Sequence, residues 1–101
     1  MIDLHVDEWT QEQFLDAKKE LSLQGRKVLL IDTILSPIAG VETTTYAPPL
    51  LSQEPAGSVF VFYCDTGKTS KERLTEFRTK FPDHVCISLR GGRAYWRRHL
   101  K

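Results

Sequence analysis

Cysteine is scarce in this 101-residue chain: there are two, Cys64 and Cys86, 22 positions apart and in no CxxC pair. That scarcity argues against a disulfide framework and a structural zinc site, and it fits the reducing, cytoplasmic compartment. Long apolar runs are also missing. None approaches the roughly eighteen residues of a membrane span, and no secretory leader pattern opens the chain, so no membrane association is expected. An excess of charge of one sign is lacking too, the net being +1. The distribution is uneven, however. Residues 1–63 hold four Lys/Arg against nine Asp/Glu (−5), and residues 64–101 hold ten against four (+6). A basic half draws anionic substrates or acidic partner surfaces; the plainer alternative is a set of solvated helix faces. Its basic residues are not interleaved with a recognition motif, so nucleic acid is not an expected partner.

What remains is ordinary for a globular protein, 41% hydrophobic and 27% charged. The length suits one domain over 1–101 with one modest core. The chain is organised around Ser58 to Ser70, SVFVFYCDTGKTS. Val59 to Tyr63 is a short run of β-branched and aromatic residues, which reads as a buried strand. It ends in Cys64, and the polar turn Asp65-Thr66-Gly67-Lys68-Thr69 follows. Ser70 then reads as the N-cap of a helix to Lys80, with Leu74, Phe77 and Phe81 at spacings of three and four. A thiol is thus expected where a strand ends and a helix begins, the position at which open α/β sheets hold ligands.

Turn N–H groups there form an anion-binding nest, and the start of a helix adds partial positive charge. A cysteine so placed is stabilised as the nucleophilic thiolate. Gly67 permits the positive φ of a curled cradle, and Lys68 adds a cation. The plain alternative is a buried cysteine before an ordinary βα turn. Two rival motifs fail by counting. A phosphate-binding P-loop needs glycine five residues before Gly67, where Phe62 stands. A cysteine-dependent phosphatase loop needs arginine where Ser70 stands.

From the amino terminus, Ile2 to Val6 alternates like a short strand, with His5 a surface or pairing residue on it. A helix is expected from Asp7–Thr10 to Gly25, with Trp9, Phe14, Leu15, Leu21 and Leu23 on its apolar face. Val28 to Asp32 reads as a core strand. Asp32 ends it on the side of the cysteine loop, more simply accepting loop N–H bonds than moving protons. Val41 to Tyr46 reads as a strand or extended edge. Between Ala47-Pro48-Pro49 and Glu54-Pro55-Ala56-Gly57 there is room only for a stub of helix. Pro82 and Asp83 stop the helix begun at Ser70, His84 reads as a turn residue, and Val85 to Leu89 is the last strand. Cys86 lies on it, as a buried packing residue or as a redox partner of Cys64. Gly91-Gly92 allow a reversal into a final helix, Arg93 to Leu100, anchored by Trp96. Arg97, Arg98 and His99 read as solvated, while Arg90 and Arg93 are candidates for the neighbourhood of the loop. This alternation of strands and helices implies an α/β fold: a central, mostly parallel sheet of four to five strands flanked by helices, with right-handed crossovers.

The pattern Cys64-x-x-Gly67-x-Thr69-Ser70 resembles the active-site loop of the rhodanese family of sulfurtransferases. The resemblance extends to Leu89-Arg90-Gly91-Gly92-Arg93-Ala94-Tyr95-Trp96, where the family carries a strand, a Gly-Gly turn and a tryptophan. It also touches Val28 to Asp32, similar to the family's second strand and its closing aspartate. About half of the chain, mostly 58–98, is covered. Residues 33–57 depart from the family pattern, with Ile34 where an arginine usually stands.

The resemblance implies a rhodanese-like domain in which Cys64 takes a sulfane sulfur from thiosulfate or from a protein or low-molecular-weight persulfide. It then passes that sulfur to a thiophilic acceptor. Asp65, Thr66, Gly67, Lys68, Thr69 and Ser70 would form the persulfide-binding loop, with the N–H groups of 66–70 turned inward. Asp32, Arg90 and Arg93 would support it. The six-residue loop Cys64–Thr69 resembles that of sulfur-handling rather than phosphate-handling members. No metal or organic cofactor is called for. Asp65, where many members have a neutral or cationic residue, would raise the thiol pKa and repel thiosulfate if turned inward. Weak thiosulfate activity and a protein persulfide donor are therefore expected. Two other readings stay open: a rhodanese-like interaction module without turnover, and a thiol redox protein using Cys64 and Cys86.

Overall fold

In a computed structural model, which describes residues 2–98, the strand expected at Val59–Tyr63 is the fully buried centre of the sheet. In chain order the elements are β1 (Glu8–Trp9), α1 (Gln11–Leu23), β2 (Val28–Asp32), β3 (Thr44–Thr45), α2 (Pro48–Leu51), β4 (Val59–Tyr63), α3 (Lys68–Glu72), α4 (Leu74–Lys80) and β5 (Val85–Leu89). The five strands form one sheet in the order β1-β5-β4-β2-β3, and all four pairings are parallel. The α/β class and the mostly parallel sheet are therefore as expected.

Side-chain alternation along β4 explains the layers. Val59, Val61 and Tyr63 face a cluster with Trp9, Phe14, Ala17 and Leu21, which is covered by α1. Phe60 and Phe62 face the opposite cluster with Leu51, Leu74, Phe77 and Phe81, which is covered by α2–α4. The Phe62 and Phe77 rings stack at 3.9 Å, and Phe60 meets Phe81 edge-on at 5.4 Å. A parallel strand covered on both faces has no need of polar residues, which is why VFVFY is continuous rather than alternating.

The edges differ from expectation. Ile2–Val6 is not a strand; pairing begins at Glu8 and Trp9, opposite Ser88 and Leu89. The Asp3 carboxylate accepts the His5 N–H at 2.8 Å, a local turn that competes with extension. Trp9, expected on a helix, is a buried strand residue whose indole N–H donates to the Asp3 carbonyl. The helix begins at Gln11 because Thr10 and Gln13 close a capping box around its first turn. On it Phe14, Ala17 and Leu21 are buried, whereas Leu23 is 82% exposed and belongs to no apolar face. In the 41–46 segment only Thr44 and Thr45 pair, beside Ile31 and Asp32, and the stub of helix is α2.

Two helix expectations are corrected. The helix after the cysteine loop starts at Lys68, not Ser70, and Arg73 interrupts it between α3 and α4. The final helix expected from Arg93 is a single turn over 91–95. Gln11 ends it: its side-chain amide accepts the Arg97 N–H at 2.8 Å and donates to the Arg97 carbonyl at 2.6 Å. A residue whose backbone is so engaged cannot continue a helical ladder. Trp96 does anchor this segment, edge-on to Phe14 at 6.1 Å. His99 and Leu100, expected in that helix, lie outside the described residues. Among the described residues no helix is long and apolar enough to cross a membrane.

Candidate functional site

Parallel β2, β4 and β5 end on one edge of the sheet, and the loop from Cys64 to Gly67 rises from its middle. Cys64 is 3% exposed. Its Sγ accepts the Gly67 N–H at 3.2 Å and the Ser70 N–H at 3.3 Å, and it lies 3.4 Å from the Ser70 hydroxyl oxygen. Burial alone would push the thiol up. The Ser70 hydroxyl and the N–H groups of Ser70, Gly67 and Thr66 outweigh it and hold the thiol below its ordinary value. The expected inward turn of every N–H from 66 to 70 is thus partial: those of Gly67 and Ser70 are hydrogen-bonded to the sulfur, and that of Thr66 also acts on it.

The expected cap also changes identity. Gly67, with φ +92°, is the N-cap of α3, and Ser70 lies inside the helix. The Ser70 hydroxyl is fully buried and serves the sulfur, with the Gly67 carbonyl at 3.4 Å and the Ser88 hydroxyl at 2.7 Å as its other neighbours. Because α3 has only five residues, its aligned peptides add little to the field at Cys64, and the nearby N–H groups carry the effect.

The Gly91-Gly92 turn holds the loop from the other side. The Arg93 N–H donates to the Cys64 carbonyl at 2.9 Å, and the Ala94 N–H to the Asp65 carbonyl at 2.8 Å. At Gly67 a Cβ would lie 2.8 Å from the Gly91 nitrogen; at Gly92 it would strike the Cys64 carbonyl oxygen and come within 2.8 Å of the Asp65 carbonyl carbon. The two motifs, far apart in sequence, are two halves of one backbone clamp. Sequence reasoning assigned the Gly pair only the chain reversal.

Of the other expected residues, Asp65, Thr66, Lys68 and Thr69 are exposed. Asp65 is exposed, so the inward turn that would let it raise the thiol is not met, and the groups that shift the thiol are those of Ser70, Gly67 and Thr66. Asp32 is buried and accepts the Ile34 N–H at 2.8 Å, the loop-holding role foreseen for it. It also lies by the Tyr63 phenol, whose pKa is pushed up by burial first and then by this carboxylate. Arg90 is drawn to Glu8 on β1, with nitrogens 2.9 and 3.1 Å from one carboxylate oxygen. Arg93 donates to the Pro37 carbonyl at 3.2 Å. Neither arginine hydrogen-bonds the loop through its side chain. Ser88 was missed; its signal is a hydroxyl at an inward position of a strand buried on both faces.

Cys86 is free and buried, its thiol pushed up to about 11 by burial, with Arg78 acting in the opposite direction. It lies opposite Phe60, four residues before Cys64 along β4. At about 3.3 Å per residue that separates the cysteines by about 13 Å, against about 6 Å between the Cα atoms of a disulfide. The chain was compared with protein-family profiles, curated proteins and solved structures, and no significant match was found in any of the three.

Proposed function

We propose that the chain is a rhodanese-like domain acting as a sulfurtransferase, with a persulfide on Cys64 as its carrier. The observation that carries this reading is the convergence of the Gly67 N–H, the Ser70 N–H and the Ser70 hydroxyl on one sulfur at the sheet edge. Such donors favour a thiolate as attacking group and serve an anionic persulfide equally well. In the first step the Cys64 thiolate attacks the sulfane sulfur of the donor. A new S–S bond forms, the donor's bond to that sulfur breaks, and its electron pair leaves with sulfite or with the donor's thiolate. In the second step a nucleophile takes the terminal sulfur, and the Cys64 thiolate departs with the bonding pair. The reaction calls on no metal or organic cofactor, and its setting is the cytoplasm.

None of four surface cavities is lined by a residue of the loop 64–70. A donor that brings its own walls, such as a cysteine persulfide on another protein, suits this open loop better than a free small anion. Intact mass after incubation with a low-molecular-weight persulfide, and separately with thiosulfate, tests the proposal. The expected result is a gain of one sulfur atom, larger with the persulfide, removed by cyanide and absent in Cys64→Ser. No adduct from either donor on folded protein would favour the interaction-module reading. The exposed Ile34, Leu35 and Tyr95 near the same edge support that second reading. The redox reading has no such support, given the separation of the two thiols.

A further inference from the structure

Behind the cysteine loop lies a hydroxyl chain whose far end is on another strand. Ser70 and Ser88 are both fully buried, and their oxygens are 2.7 Å apart. Ser88 is on β5, level with Phe62 on β4, so it sits beneath the loop rather than in it. Among the described residues its hydroxyl has no hydrogen-bond partner except Ser70, whereas Ser70 reaches the Cys64 sulfur and the Gly67 carbonyl, each at 3.4 Å.

Proton counting fixes the direction. A hydroxyl has one proton to give. If Ser70 gave its proton to Ser88, the Ser88 proton would be left buried without an acceptor, which costs about 1–3 kcal/mol. If Ser88 gives to Ser70, every proton is satisfied, and that of Ser70 is free to serve the sulfur or the Gly67 carbonyl. We propose that Ser88 is a positioning residue for Cys64, donating to Ser70 so that the Ser70 hydroxyl turns its proton toward the sulfur whenever the sulfur is anionic. When Cys64 is neutral, its S–H donates to Ser70, and the Ser70 proton turns to the equidistant Gly67 carbonyl. The relay thus leaves no buried group unpaired in either state, and a donor that is itself donated to is strengthened by that polarisation. The inference rests on the reading of Cys64 as a working thiolate.

The charged groups on the elements around Cys64 are Asp65 on the loop, Lys68, Lys71 and Glu72 on α3, Glu8 on β1, Asp32 on β2, and Arg90 and Arg93 after β5. None is among the causes of the thiol's lowered pKa, whereas Ser70 supplies two of them. The test is the pH dependence of Cys64 alkylation by iodoacetamide. In Ser88→Ala the midpoint is expected to rise by up to about one pH unit, the size of one modest hydrogen bond. Ser70→Ala should raise it further. Because the two hydroxyls act in series, adding Ser88→Ala to Ser70→Ala should move it no more. Ser88→Thr should keep a lower midpoint than Ser88→Val, a pair matched in shape that differs in the hydroxyl. Equal shifts from Ser88→Ala with and without Ser70, or identical Thr and Val variants, would overturn the relay. A wild-type midpoint at the ordinary thiol value would instead overturn the thiolate reading itself.

Discussion

At the scale of single residues, the site is made by backbone more than by side chains, and its most constrained position carries no side chain at all. Gly92, with φ +57°, sits where any Cβ would meet the Cys64 and Asp65 backbone. Neither obstacle can rotate away, since the Cys64 and Asp65 carbonyls are already held by the Arg93 and Ala94 N–H groups. Gly92→Ala is therefore expected to cost about 2–4 kcal/mol. It should also raise the alkylation midpoint of Cys64, because the clamp can accommodate a methyl only by moving the loop. Gly25 has a similar φ of +79° but open space around it. Gly25→Ala should cost about 1 kcal/mol, the backbone penalty alone, and leave the thiol unchanged. Thermal melting of the two variants, with the alkylation profile of each, separates the effects. Equal losses would mean that conformation, not the close approach, sets the requirement.

At the scale of elements, what could be read in advance follows burial. The bounds of β2, β4 and β5 agree with the runs 28–32, 59–63 and 85–89, because strands covered on both faces are apolar at nearly every position, Asp32 and Ser88 being the exceptions. The edge strands β1 and β3 have two residues each, too few for any period to show. Cys64, Gly67 and Ser70 were legible as a thiol before a turn. The Ser70–Ser88 contact was not, because sequence does not reveal which inward position of one strand lies beneath another element's loop. The lost final helix has the same cause: it hangs on Gln11, 86 positions from Arg97. Removing that amide tests this directly. Gln11→Ala should destabilise the fold by about 1–3 kcal/mol, through two lost hydrogen bonds to buried or half-buried groups. Hydrogen exchange at the Arg97 amide should rise from protected to nearly free. Unchanged protection there would show that Trp96 packing on Phe14 alone holds the segment.

At the scale of the molecule, the uneven charge resolves into pairing between the ends of the chain. Asp7 meets Arg78, Glu8 meets Arg90 and Lys71, and Glu12 meets Arg97. Much of the basic half is thus answered by the acidic start rather than left as a free field, and such exposed pairs contribute little stability each. The buried phenol and thiol matter more for the pH dependence of the whole fold. Cys86 holds its proton up to about 11 in the folded chain, whereas an unfolded thiol gives it up near 8.5. Tyr63 is shifted upward as well. Between those limits the unfolded chain binds fewer protons than the folded one, so stability falls as pH rises. Cys64 is shifted the other way, and its contribution is complete once the pH exceeds the unfolded thiol value; it does not offset the alkaline loss. Denaturant midpoints from pH 8.5 to 10.5 should therefore decline. Cys86→Ala should start lower because of the cavity in the Phe60–Phe81 cluster, yet decline less steeply, by up to about 1.4 kcal/mol per pH unit for the one proton removed. Parallel curves for the two proteins would mean that Cys86 ionises alike in both states and that the alkaline loss belongs to the phenols of Tyr46 and Tyr63, both pushed up by burial.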